Sequence, residues 1–366
     1  MDNKNNIFYI KKRIRKKRKF KIKNKVQKQT KNKVNLGVEL LRMILSFLIV
    51  LVHNLDAYYA YYKLNNFPQK HLAYYVPTFF FISFYFSYNT LTSRNIEKIK
   101  ERFIRILVPY LGWPIIFWLR DYYLYYRYGI KGNILLRNMY IQIIIGCRIH
   151  GVFWFLFNIL FLNNVFVIII FLFKKKYFYV LFIITLLFYI FSHSIYGKQF
   201  FNLFNFNPIG HSISPIPKMI LYSFTGFFCA SKNLIKHLYN YRCIILILCG
   251  LLLFIILHYN VFVKVPSFFS GIMIDLFIIN TFSFFSMIPF DKIKNTFIFS
   301  ILKQITSHTG GVYYLHTKCY EILRRYIKPI SRRSFQGCLL SYLYCYLLCV
   351  ICSFLFRKSK IKHLFY

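Results

Sequence analysis

The sequence predicts an all-α integral membrane protein, a bundle of about ten transmembrane helices. Three observations lead there. The 366 residues are 57% hydrophobic and 22% aromatic with only 16% charged, so there is too little polar surface to cover a soluble fold of this size. Apolar runs of about 18 residues or more recur along the chain, the length needed to cross a hydrocarbon core in helical form. The 50 Lys+Arg against 9 Asp+Glu collect at the ends of those runs, as the retention of basic residues on the cytoplasmic side requires. That distribution excludes the nucleic-acid partner that a net charge of +41 would otherwise suggest.

Residues 1–34 hold 15 Lys/Arg against one acid, Asp2, and read as a disordered cytoplasmic topogenic tail attracted to anionic lipid headgroups. The first apolar segment is too long, and lacks the small-residue cleavage site, for a removable signal peptide. Residues 35–356 form the transmembrane domain, and 357–366 a second basic tail. The spans fall near 37–58, 72–92, 106–126, 151–173, 177–195, 216–230, 241–260, 266–288, 297–317 and 335–356. With the N-terminus in the cytoplasm, the connections near 93–105, 174–176, 231–242 and 289–295 are cytoplasmic, and they carry five, three, three and two Lys/Arg. The segment 318–333 holds six Lys/Arg yet falls on the far side, so either a span is miscounted or these charges line a cavity. Residues 127–150 are weakly amphipathic and suit a re-entrant or interfacial helix. Cys338, Cys345, Cys349 and Cys352 recur at 7, 4 and 3, a helical stripe of small packing residues. No metal site is expected, and no internal repeat is evident.

Four clusters can carry chemistry. In "ELLRMILSFLIVLVHN", Arg42 and His53 are eleven residues apart, which places them within roughly 20° on one helix face and about 16 Å apart along the axis. Glu39, Ser46 and Asp56 fall near the same stripe, so one side of this span reads as polar, and ionisable residues at bilayer depth are functional candidates by default. In "ERFIRILVPY", Arg102 and Arg105 stand one turn apart, a natural clamp for phosphate oxygens. Ser83 sits among aromatics in the second span. In "HTGGVYYLHTKCY", Thr309, Tyr313, His316 and Tyr320 share one face, and Gly310 and Gly311 permit close helix approach.

The order and form of these clusters resemble the membrane acyltransferase-3 family, the stand-alone transferases that use acyl-CoA. The family's Arg-x10-His is matched by Arg42 and His53. Its Arg-x-x-Arg with "LVPY" is matched by Arg102, Arg105, Pro109 and Tyr110. The "His…Trp-Phe-Leu" opening of a middle span is matched by His150, Trp154, Phe155 and Leu156, and the late Gly-x-Tyr-x-x-His by Gly311, Tyr313 and His316. The resemblance covers residues 36–317. The family's Ser-Gly pair reads Ser83-Phe84 here, which removes the close backbone approach a glycine allows, and no esterase-like domain follows the last span.

The resemblance implies transfer of an acyl group, by default acetyl, from cytosolic acyl-CoA to a hydroxyl of an extracytoplasmic or lumenal glycan-type acceptor. No tightly bound cofactor is expected; acyl-CoA is the co-substrate and membrane lipid the surrounding partner. The charge-derived topology places Arg42, Arg102 and Arg105 near the cytoplasmic boundary, where the phosphorylated head of acyl-CoA arrives. It places His53, Trp154 and His316 in the opposite half. A sugar hydroxyl needs a base that titrates near neutrality, and imidazole supplies it. His53 is therefore the expected general base, with Arg42 beside the acyl-CoA path. His316 or Tyr313 is expected to donate to the thioester oxygen, and Ser83, His150 and Trp154 to line the substrate path. A bacterial inner or plasma membrane and a eukaryotic secretory membrane both fit such a multi-pass chain. The residues alone also admit a multi-span transporter of protons or small anions, since such bundles carry buried Arg and His; transporters commonly show two related halves.

Overall fold

The computed structural model describes residues 35–61, 74–129, 135–145, 153–173, 177–203, 216–241, 243–251, 254, 267–288, 290, 296–326 and 335–358. The tail 1–34 and most of the tail 357–366 lie outside these residues, although Arg357 and Lys358 continue the last helix.

Among the described residues the chain is helical and contains no strand. The helices are α1 (Leu36–Tyr61), α2 (Tyr75–Thr92), α3 (Ile96–Tyr128), α4 (Leu136–Ile145), α5 (Phe153–Leu172), α6 (Phe178–His193) and α7 (Ile195–Leu203). There follow α8 (Ile216–Lys232), α9 (Leu234–Leu238), α10 (Ser267–Ser286), α11 (Phe297–Thr306), α12 (Thr309–Tyr326) and α13 (Phe335–Lys358), with a further helical stretch at 243–251. Each of the ten predicted spans contains helix. Among the described residues, three helical segments are both long and apolar enough to cross a membrane: Leu36–His53, Ile96–Tyr128 and Phe153–Leu172. The described parts of α6, α10, α11 and α13 are apolar over shorter stretches.

Local chemistry sets the boundaries. Asn35 caps α1 by accepting from the Val38 N–H at 3.2 Å, and its own amide donates to the Ser286 carbonyl at 2.9 Å. Asn95 caps α3 in the same way through the Lys98 N–H, and Gly129, at φ 63°, closes that helix in the left-handed conformation a side chain disfavours. Polar residues inside the apolar helices turn back on their own backbone. Thr78, Asn158, Asn163, Thr185 and Asn280 each donate to the carbonyl four residues earlier, the accommodation expected where no water competes.

Helix α1 is central and packs against α2, α10, α11, α12 and α13, while α2 lies closest against α8. Side-chain contacts fix the helix directions. The start of α1 meets the end of α10 at Asn35–Ser286, and Arg42 lies over Phe86 near the end of α2. Arg94, just before α3, donates to Ile170 near the end of α5. At the opposite end, His53 of α1 meets α12. Helix α1 therefore runs opposite to α2 and α10, and α3 opposite to α5.

A close helix approach is made one turn before Phe84. Phe84 is fully buried against Phe166, with ring centroids 4.6 Å apart, and Gly226 of α8 sits directly on the Phe81 carbonyl, where any Cβ would collide. The glycine that lets α2 and α8 touch is thus on α8.

Two expectations are corrected. The ninth predicted span, 297–317, is broken at Ser307–His308 into α11 and α12, and α12 continues to Tyr326. More than half of the anomalous segment 318–333 is therefore one helix with His316, and Lys318 is buried. The third predicted span is longer than 106–126: α3 runs 33 residues through Pro109 and Pro114, about 50 Å at 1.5 Å per residue.

Candidate active site

At one end of the bundle the sequence-predicted histidines come together. The His53 and His316 rings are stacked, with centroids 5.2 Å apart and planes 24° apart. His53 lies exposed on the rim, whereas His316 is 1% exposed. They meet because α1 and α12 pack directly and each carries its imidazole on the shared face.

The tautomer of His316 follows from its contacts. Its Nδ1 lies 2.7 Å from the Tyr313 carbonyl oxygen, which can only accept, so Nδ1 carries the proton. In the neutral ring Nε2 is then a lone pair, and it is buried with no hydrogen-bond partner among the described residues. Aromatic rings wall the pair. Tyr313 packs on Phe155 of α5 at 4.8 Å and on Phe79 of α2 at 6.0 Å, and its centroid is 6.0 Å from that of His316. Trp154, half-buried, stands edge-on to Phe155 at 6.4 Å. His150 lies outside the described residues.

A charge cluster flanks the same end. Glu321 Oε2 accepts from Lys318 Nζ at 3.0 Å and from Arg120 Nη1 at 3.3 Å, and Arg120 also lies 3.6 Å from Asp121. The start of the anomalous basic segment is thereby paired with the far end of α3, and Lys318 rests over the Phe117 ring. Of the segment's described charges, Lys318 is buried between helices and Glu321 is exposed.

The arginines gather about 16 Å along α1 from the histidines. Arg42 and Arg105 both act electrostatically on the Arg102 guanidinium. Arg42 donates to Glu39 at 2.5 Å and lies over Phe86 at 5.7 Å. Arg102 is a brace. Its Nε donates to Asn163 Oδ1 of α5 at 3.0 Å, and its Nη2 to the hydroxyl and carbonyl of Ser83 of α2 at 3.1 and 3.2 Å. Arg105 is exposed. Ser83 therefore belongs with the arginines rather than the histidines.

The polar stripe on α1 is interrupted between these two ends. Ser46 is 1% exposed and donates to the Met43 carbonyl at 2.8 Å, under Tyr346 of α13. The side chain of Asp56 lies outside the described residues. Sequence reasoning missed Asn163, since an asparagine in an apolar run carries no motif, and it missed the link between Arg120 and Glu321, which are 201 residues apart.

The described chain is thus helical, with segments long and apolar enough to cross a membrane, a stacked histidine pair and a separate arginine cluster. The family model described as an acyltransferase domain, of the acyltransferase-3 type, matches residues 35–358, and the chain belongs to that family. Membership indicates a membrane acyltransferase. No curated protein and no solved structure matches the chain.

Proposed function

We propose that the protein transfers an acyl group, by default acetyl, from cytosolic acyl-CoA to a hydroxyl of a glycan-type acceptor on the other side of the membrane, through a bundle of about ten spans. The observation that carries this is the stacked His53–His316 pair. A rim-exposed imidazole meets an incoming hydroxyl, and a buried imidazole lies beneath it with its tautomer set by Tyr313.

In this reading His53 removes the acceptor's proton as the hydroxyl oxygen attacks the thioester carbon. General-base help of this kind is worth about 10²–10⁴-fold. The neutral His316 ring under it favours the single positive charge that forms on His53, and two charged rings at 5.2 Å would repel. Since His316 Nδ1–H is committed to Tyr313, the neutral ring has no proton left for the thioester oxygen, and that role passes to the Tyr313 hydroxyl. Collapse of the tetrahedral intermediate expels the CoA thiolate, and the proton taken from the acceptor restores the thiol.

At the other end Arg105, with Arg42 beside it, meets the phosphates of acyl-CoA, and Arg102 holds α2, α3 and α5 in register around them. Trp154 and His150 are assigned to the acceptor path. The test is purified protein in lipid, supplied with acetyl-CoA. Release of free CoA should depend on an added glycan acceptor and yield the acylated glycan. Release that ignores the acceptor, with no acylated product, overturns the proposal.

A further inference from the structure

A second buried polar cluster lies away from both ends of the site described above. Asp275 of α10 is 7% exposed, inside the bundle. Its Oδ2 lies 2.6 Å from Thr225 Oγ1 of α8, and its Oδ1 has no partner among the described residues. The titratable groups that face it are Tyr189 of α6 and Tyr222 and Cys229 of α8. No lysine, arginine or histidine pairs with it among the described residues. An ionised carboxylate so placed would lack the compensation that buried charges require, and such a group takes up a proton instead.

The contacts at Thr225 fit a protonated Asp275. Thr225 Oγ1 is also 3.0 Å from the Leu221 carbonyl oxygen, the usual helical back-bond. The hydroxyl has one proton and two neighbouring oxygens. If it donates to Leu221, the 2.6 Å contact needs a proton from Asp275, so the chain reads Asp275 Oδ2–H to Thr225, then Thr225 O–H to Leu221. Every donor is then used. With an ionised Asp275 the hydroxyl turns to the carboxylate and gives up the back-bond to Leu221.

Two further polar atoms lie near this pair. Tyr189 OH is buried with no partner among the described residues. It lies directly over Gly271, where a Cβ would collide with it, one turn before Asp275 on the same helix. A hydroxyl donor and the carbonyl oxygen of a carboxylic acid therefore face one region without bonding each other.

We propose that Asp275 is a proton-binding site within the bundle, a neutral carboxylic acid that donates to Thr225 and is separate from the paired histidines. Its ligand is a proton rather than a sodium-class cation, and the two are separated by the test below. The site needs no part of the acyl-transfer chemistry, so its test is independent of that reading.

The test is infrared spectroscopy of the full chain in lipid at neutral pH. The wild type should show the carbonyl stretch of a protonated carboxylic acid that moves in D2O, and Asp275→Asn should lose that band while losing no carboxylate band. Thr225→Val, which removes the acceptor, should keep the band but shift it toward a free acid, and this variant decides the matter if Asp275→Asn does not fold. A carboxylate band that vanishes in Asp275→Asn, or an acid band unmoved in Thr225→Val, overturns the proposal. So does thermal stabilisation by sodium over choline that the asparagine variant abolishes.

Discussion

Replacing Arg102 by methionine separates a brace from a ligand. Arg102 joins three helices through Asn163 Oδ1 at 3.0 Å and Ser83 at 3.1 and 3.2 Å. Methionine keeps the apolar stem and removes every donor. Two residue pairings are lost, and the membrane-helix average of about 0.6 kcal/mol for each sets a floor near 1 kcal/mol. Hydrogen bonds to charged groups in water, about 1.5–3 kcal/mol each, set the ceiling. The contacts share one guanidinium and do not add fully, so the expected loss is about 2–3 kcal/mol. Asn163 Oδ1 and the Ser83 hydroxyl also lose a donor. Thermal unfolding in lipid–detergent micelles should show a clearly lowered midpoint for Arg102→Met, and Arg102→Lys should recover only part, since one ammonium does not reproduce the fork. Arg105→Gln, at an exposed position, should unfold like the wild type. An Arg102→Met protein as stable as the wild type refutes the bracing argument and returns Arg102 to the phosphate-binding set.

Three further outcomes follow from the same geometry. Arg105→Gln should raise the KM for acyl-CoA about 10-fold or more at nearly unchanged kcat, because a contact equal in ground and transition states changes affinity alone; an unchanged KM makes Arg105 only a topological anchor. Gly226→Ala should destabilise by about 1–3 kcal/mol through overpacking against the Phe81 carbonyl, read as a lowered unfolding midpoint; a wild-type midpoint means that the α2–α8 contact opens freely. On a background without native cysteines, a cysteine at Arg94 should be shielded from an impermeant thiol reagent applied outside while one at Lys63 is labelled, and the reverse pattern inverts the topology.

The elements most legible in the sequence are those whose signal is local. The run 39–54 gave α1, and the eleven-residue spacing placed Arg42 and His53 on one helix at opposite depths. The partnership of His53 with His316 was legible only as two separate motifs, because ring stacking joins residues 263 positions apart. Periodicity shows which face Arg102 takes, and not which protein acceptors already stand within its reach. Ser83 and Asn163 are those acceptors. Phe84 illustrates the same limit: the missing glycine was visible, but the packing of Phe84 on Phe166 and of Gly226 on Phe81 joins residues of different helices. The break at Ser307–His308 carries neither proline nor charge, and apolar patterning alone ran through it.

The central claim is that His53 takes the acceptor's proton during acyl transfer. The direct measurement is single-turnover formation of acylated glycan, followed by mass spectrometry, with purified His53→Ala protein that unfolds like the wild type and binds acyl-CoA with unchanged affinity. The account predicts a rate about 10²-fold or more below the wild type, with acyl-CoA left intact. A wild-type rate of acylated product from that variant contradicts it.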